Sequence, residues 1–323
     1  MTAPVSRVFR WSTWALLAFC IAVIVWGALV RATGSGAGCG NHWPLCNGVV
    51  LPSIAQHKTM IEFVHRLMSG ALGIFVLAWA GAAFFVSEKG SVLRKGALWA
   101  VGLTVLEALI GAALVKLHLV EDNATVGRAV GVGVHLVNTF LLVAAIALTG
   151  AWASGQERLV LRGQGGFAKA LVGAVCAVIL LGVTGTINAL GDTLFPAKSL
   201  TEGMMQDRLA NASFFLHLRA AHPLSALAVT AFLISCAVAS CFLRPSPQVR
   251  RRAGWVIGLV CAQVMVGMVN FALLAPVGMQ MLHLGMANAV WVGVVLWSSA
   301  ALAEGVPRAQ LVKDSPFAAP PQA

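Results

Sequence analysis

Residues 61–70 read IEFVHRLMSG and set Glu62, His65 and Arg66 into an apolar run that extends from about residue 59 to 86. A run of that length spans the hydrocarbon core of a bilayer as a helix. Ionisable groups inside such a span are costly, so by default they mark a site. Glu62 and His65 stand three residues apart, so on a helix they share one face about one turn from each other.

The rest of the chain is written in the same medium. Of its 323 residues 59% are hydrophobic and 10% charged, with a mean hydropathy of +0.86, where soluble domains carry about a quarter charged residues. This composition predicts an all-α membrane protein. Runs of about 20 apolar residues give eight spans, at roughly 11–31, 59–86, 96–118, 127–152, 168–190, 213–243, 253–275 and 278–303. The first lacks a clear small-residue cleavage site within the usual distance and reads as a transmembrane helix rather than a removed signal.

The net charge of +11 does not indicate nucleic acid, because the basic residues are scattered over short loops instead of gathered on one face. Their placement reports topology. Arg7, Arg10, Lys89, Arg94, Lys95, Arg158, Arg162, Lys169, Arg244, Arg250, Arg251, Arg252, Arg308 and Lys313 fall on one side, which the positive-inside rule makes cytoplasmic together with both termini. The long connections at about 32–58 and 191–212 then face outward, and the Pro-rich tail, residues 306–323, is expected to be a disordered cytoplasmic segment.

Laid side by side, the spans show a repeat. Glu107-Ala-Leu-Ile-Gly111 resembles Gln263-Val-Met-Val-Gly267, and His135-Leu resembles His283-Leu. His65 lies 42 residues before Glu107, and His222 lies 41 before Gln263. Two pseudo-symmetric four-helix bundles follow, residues 1–160 and 161–305, related by an axis along the membrane normal.

On this map His65, His135, His222 and His283 fall on the second, fourth, sixth and eighth spans, all entering from the outer side. Each lies roughly 5 to 9 residues in, about 8 to 14 Å at the helical rise. A lone histidine in a span commonly bonds a neighbouring helix; four at one depth, two per repeat, point to ligands. Imidazole suits zinc, copper and iron, and histidine pairs held between bundle helices look most like bis-histidine heme, one site per half. A zinc ion with three or four ligands on one centre stays open.

In the sixth span both His217 and His222 are available, and the 19-residue distance from His222 to Cys241, equal to that from His65 to Phe84, selects His222. Arg66 and Arg219 flank the layer as candidates for propionate binding or for snorkelling to the interface.

The first outer loop carries Cys39 and Cys46 among glycines, with His42 and Trp43 between them; on an oxidising face these cysteines suit a disulfide. Cys20, Cys176, Cys236, Cys241 and Cys261 lie in spans, where cysteine behaves as a small apolar residue. Glu62 has no acidic counterpart, since Arg219 stands three before His222. It serves as acid, base or electrostatic stabiliser, or as a partner for Arg66. Glu107 ranks below it.

Together these residues resemble the heme A synthase family, bacterial membrane enzymes related to the mitochondrial cytochrome oxidase assembly protein. The resemblance covers nearly all eight spans and rests on GALVRATGSGAGCGNHWPLC at Gly27 to Cys46, on IEFVHRLMSG and on the four histidines. It implies oxidation of the C8 methyl of heme O to the formyl group of heme A by successive hydroxylations. By position it makes His65 and His135 the bracket of the substrate heme O and His222 and His283 the iron ligands of a heme b. Glu62 becomes the essential carboxylate, and Cys39 and Cys46 the first-loop pair.

Two departures stand out: the third outer loop lacks the second cysteine pair of some members, and His222-Pro223 replaces a His-Arg dipeptide. The resemblance also implies a bacterial inner membrane, heme O synthase (a farnesyltransferase) as upstream partner, an electron donor or acceptor of unspecified identity, lipid contact, and room for a homo-oligomer. The alternative is a bis-histidine di-heme electron carrier, a cytochrome b-like quinol module, although such modules put two ligands on each of two helices. A transporter would need a pair of broken helices at midplane, and the sequence offers none.

Overall fold

A computed structural model describes residues 5–53, 56–209 and 214–306. Among them the chain forms nine helices: α1 (Arg7–Ala32), α2 (His57–Val86), α3 (Val92–Lys116), α4 (Val126–Ala153), α5 (Gly165–Leu194), α6 (Leu200–Arg208), α7 (Phe214–Leu243), α8 (Pro247–Ala272) and α9 (Val277–Ala301). All but α6 are long and apolar enough to cross a membrane. The described residues hold no strand beyond two isolated bridges. This is a multi-pass, all-helical membrane protein. The expected tail from Pro307 to Ala323 lies outside the described residues.

The eight spans stand where the apolar runs place them, with two instructive differences. α8 starts at Pro247 rather than at 253, because proline at the first helical position gives up no needed donor; Arg250, Arg251 and Arg252 then ride on the helix. α6 falls in a stretch that the sequence presents as loop. Its start is a cap: Ser199 Oγ accepts from the Glu202 amide at 3.1 Å, and Glu202 Oε2 accepts from the Lys198 amide at 2.9 Å.

The helices pack as two rings. In the first, α1, α2, α3 and α4 contact in sequence and α4 closes on α1; in the second, α5, α7, α8 and α9 do the same and α9 closes on α5. The rings meet through α1 and α4 of one and α5 and α9 of the other. α4 and α9 are accordingly the most buried spans, while α3 and α8 expose apolar side chains such as Trp99 and Trp255, as lipid-facing helices do.

Buried tryptophans stitch the interior, since an indole N–H in an apolar medium needs an acceptor. Trp291 of α9 stacks on Phe140 of α4 at 4.9 Å and donates to its carbonyl at 2.7 Å, joining the rings. Trp79 donates to Thr13 at 2.8 Å and Trp297 to Ser240 at 3.0 Å. At the end opposite the long loops, the link after α4 pairs with the residues after α9: the Val160 amide donates to Leu302 at 2.9 Å and the Glu304 amide to Arg158 at 2.9 Å.

Candidate functional site

α2 and α4, carrying His65 and His135, are opposite members of the first ring; α7 and α9, carrying His222 and His283, are opposite members of the second. From the helix bounds, these histidines are the ninth, tenth, ninth and seventh residues of their helices, so each stands about 9–14 Å below its helix start. Three of the rings lie against glycines of an adjacent helix. A Cβ at Gly27 or Gly185 would stand 2.9 Å from Cε1 of His65 or His222, and one at Gly267 would stand 3.0 Å from Cε1 of His283. These glycines make room for imidazoles. His217 is exposed on α7.

The partners of the rings differ. Glu107 Oε1 of α3 lies 3.3 Å from His135 Nδ1, close but not aligned as a hydrogen bond. The carboxylate is anchored by Asn138 Nδ2 at 2.6 Å and by the Thr139 hydroxyl. In the second ring Gln263 Nε2 takes the corresponding place, 3.2 Å from His283 Nδ1 and 3.3 Å from its Nε2, and donates to the His283 carbonyl at 3.2 Å. Thr184 Oγ1 lies 3.2 Å from His222 Nδ1, whereas His65 Nδ1 is buried and finds no partner among the described residues. In sequence Glu107 ranks low because no glutamate occupies its repeat position. Its signal is that both it and the amide standing there, Gln263, lie one span before a histidine, 28 residues before His135 and 20 before His283.

Glu62 is 4% exposed and belongs to the first loop as much as to α2. Its Oε2 accepts from the Cys39 amide at 2.8 Å, and its Oε1 accepts from Arg66 Nη2 at 2.5 Å and Nε at 3.1 Å. Arg66 also donates to the carbonyls of His42 at 2.5 Å and Leu45 at 2.6 Å. Cys39 and Cys46 form a disulfide, both buried, and Gly38 lets this loop lie on the start of α2: a Cβ there would stand 2.5 Å from the Lys58 carbonyl oxygen. Loop, disulfide, Arg66 and Glu62 thus form one connected cover above His65.

The second ring is covered differently. Arg219 donates to Asp207 at 2.9 Å through Nε and to the Gly203 carbonyl at 3.2 Å, both on α6, and lies 3.5 Å from Asp192 of α5. Arg31, which has no assigned role in the sequence reading, crosses from α1 into the second ring. It donates to the Ala189 carbonyl at 2.6 Å, Thr193 at 2.9 Å and Gln280 at 2.9 Å.

Among the described residues no group of three or more His, Cys, Asp and Glu side chains is placed to hold a single metal ion. That leaves the histidines as pairs. Paired imidazoles on opposite helices, three of the four seated against glycines, fit the donor set that heme iron takes from two axial histidines.

A family model described as cytochrome oxidase assembly protein matches residues 10–295. The chain belongs to that family. Among its relatives, a Thermus thermophilus protein named Protoheme IX farnesyltransferase is 45% identical over 301 residues, covering 92% of this chain and 49% of that protein. The chain therefore spans about half the length of this relative. The Heme A synthase of Bacillus licheniformis is 29% identical over 248 residues, covering 74% of this chain and 77% of that protein. That of Listeria welshimeri is 42% identical over 106 residues, covering 32% and 34%. The family match takes in the helices of both rings.

Proposed function

We propose that the protein is a heme A synthase, which oxidises the C8 methyl of heme O to the formyl group of heme A by successive hydroxylations. The observation that carries this reading is the pair of histidine sets on opposite helices of two rings, one of them capped by a buried carboxylate and a disulfide loop. Family membership and the similarity to heme A synthases support it. In this reading residues 1–160 take the substrate heme O through His65 and His135, and residues 161–305 hold a heme b through His222 and His283; a bound heme b supplies one-electron exchange.

His222 is preferred to His217 because it is cradled while His217 is exposed. Arg66 and Arg219 stand beside the two sites, where they order the covering loop and α6 and set positive charge near propionates. Glu62, buried beneath the loop, acts on the substrate methyl as proton acceptor or electrostatic stabiliser.

The disulfide supports an outward first loop and hence a bacterial inner membrane with both termini cytoplasmic. The similarity to the Thermus protein named Protoheme IX farnesyltransferase supports a protoheme farnesyltransferase as the upstream partner. An electron partner completes the system, and the lipid-facing α3 and α8 leave room for a homo-oligomer. The test is pyridine hemochrome analysis and chromatography of pigments from the purified protein supplied with heme O. The reading requires a formyl-bearing heme as product. Protoheme alone, reversibly reduced with no formyl product, would make the protein a di-heme electron carrier instead.

A further inference from the structure

The histidine pair of the first ring is unequal in a way the second is not. His135 faces the carboxylate of Glu107 at 3.3 Å, and that carboxylate is itself fixed by Asn138 and Thr139 from α4, the helix that carries His135. Nδ1 of His65, across the ring, and Nδ1 of His135 are both buried without a hydrogen-bond partner among the described residues, but a carboxylate stands within ion-pair distance of His135 and not of His65. In the second ring both histidines face neutral groups, Thr184 and Gln263. A ligating imidazole whose second nitrogen faces a carboxylate is held in one orientation and is the stronger donor; a neutral amide gives orientation with less basicity.

We propose that Glu107 is a positioning residue for the first-ring site, making His135 the ligand that stays and leaving His65 as the ligand that yields when substrate enters and product leaves. Only one of the two sites has to exchange its occupant, and this is the site with one histidine against a carboxylate and one without. The inference rests on the bis-histidine reading given above.

The experiment is heme content and potentiometric titration of the purified, heme-loaded protein in four variants. His135→Ala loses the first-ring heme, whereas His65→Ala keeps it in five-coordinate form and binds carbon monoxide when reduced. Glu107→Gln shifts the first-ring ferric–ferrous equilibrium toward ferrous by about tenfold, in line with the effect of other such partners, and leaves the second-ring heme unchanged. Gln263→Glu moves the second-ring equilibrium toward ferric.

Equal heme loss in the two histidine variants, or unshifted potentials in both Glu107→Gln and Gln263→Glu, would overturn the proposal. Should Glu107→Gln fail to fold, Gln263→Glu decides alone, with an unchanged potential counting against it. Failure of the underlying reading is distinguishable, because it leaves the unsubstituted protein without bis-histidine heme.

Discussion

Above the first ring, a disulfide loop is fastened to the helix by Glu62 and Arg66; above the second, a short helix is fastened by Arg219 to Asp207. Below those covers the third helix of one ring offers Glu107 and that of the other offers Gln263, each against a histidine. The histidine frame recurs while the groups around it change sign or charge. The helix arrangement decides where ligands stand, and single-residue departures decide what can happen there.

The largest expected effect is at Glu62. Glu62→Ala lowers heme A formation by at least about 100-fold, the usual cost of removing a proton-transfer group, while heme b content stays at the unsubstituted level; chromatography of extracted hemes reads both. Glu62→Gln keeps an acceptor for the Cys39 amide and so separates the chemistry from the anchoring of the loop. Undiminished product would reduce Glu62 to a loop anchor and erase the difference between the rings.

Next is the glycine contrast. Gly267→Val forces the His283 ring aside, because even a Cβ would stand 3.0 Å from it, and lowers heme b occupancy by about tenfold. Gly111→Val, with nothing within 4 Å of its Cβ position, changes heme content by less than about twofold, as substitutions into open space do. Equal losses would break the comparison.

The spans, their order and the four histidines were legible because hydrophobic length and intramembrane cost are properties of the chain alone. The Cys39–Cys46 bond was legible from the pairing of two cysteines in one outward loop. What stayed hidden depends on which helices meet. Glu107 reads as an unsupported acid until α3 is laid on α4, and Arg31 has no role in the sequence until α1 is laid on α5 and α9. Glu62 reads as a residue of α2 alone, yet its Cys39 partner comes from a loop more than twenty residues away. α6 is hidden for another reason: it is short and polar, and only the Ser199 and Glu202 cap announces it.

Smaller effects sharpen the covers. Replacing Cys39 and Cys46 together by serine removes a short closed loop, worth about 2–3 kcal/mol by chain entropy. It is expected to make the loop above the first ring the earliest site of limited proteolysis while α6 stays resistant. Cleavage at α6 first would reverse the ranking of the two covers.

Smallest is the ion pair far from both. The hydrogen bond and charge of Arg158 hold the Glu304 carboxyl below its ordinary range. What stability the pair gives is therefore present above the usual carboxylate range and lost as pH falls through the lowered folded-state value. Because both side chains are largely solvent-exposed, where ion pairs contribute little, Glu304→Gln leaves the Tm at neutral pH unchanged within error; a clear drop would mean that the contact after α9 fixes the rings to each other.

Two rings with one histidine frame would serve two different hemes. The direct measurement is the heme content of purified His135→Ala and His283→Ala protein, from cells that make both protoheme and its farnesylated derivative. The predicted result is that His135→Ala loses only the farnesylated heme and His283→Ala only protoheme. Loss of the same heme from both variants would contradict it.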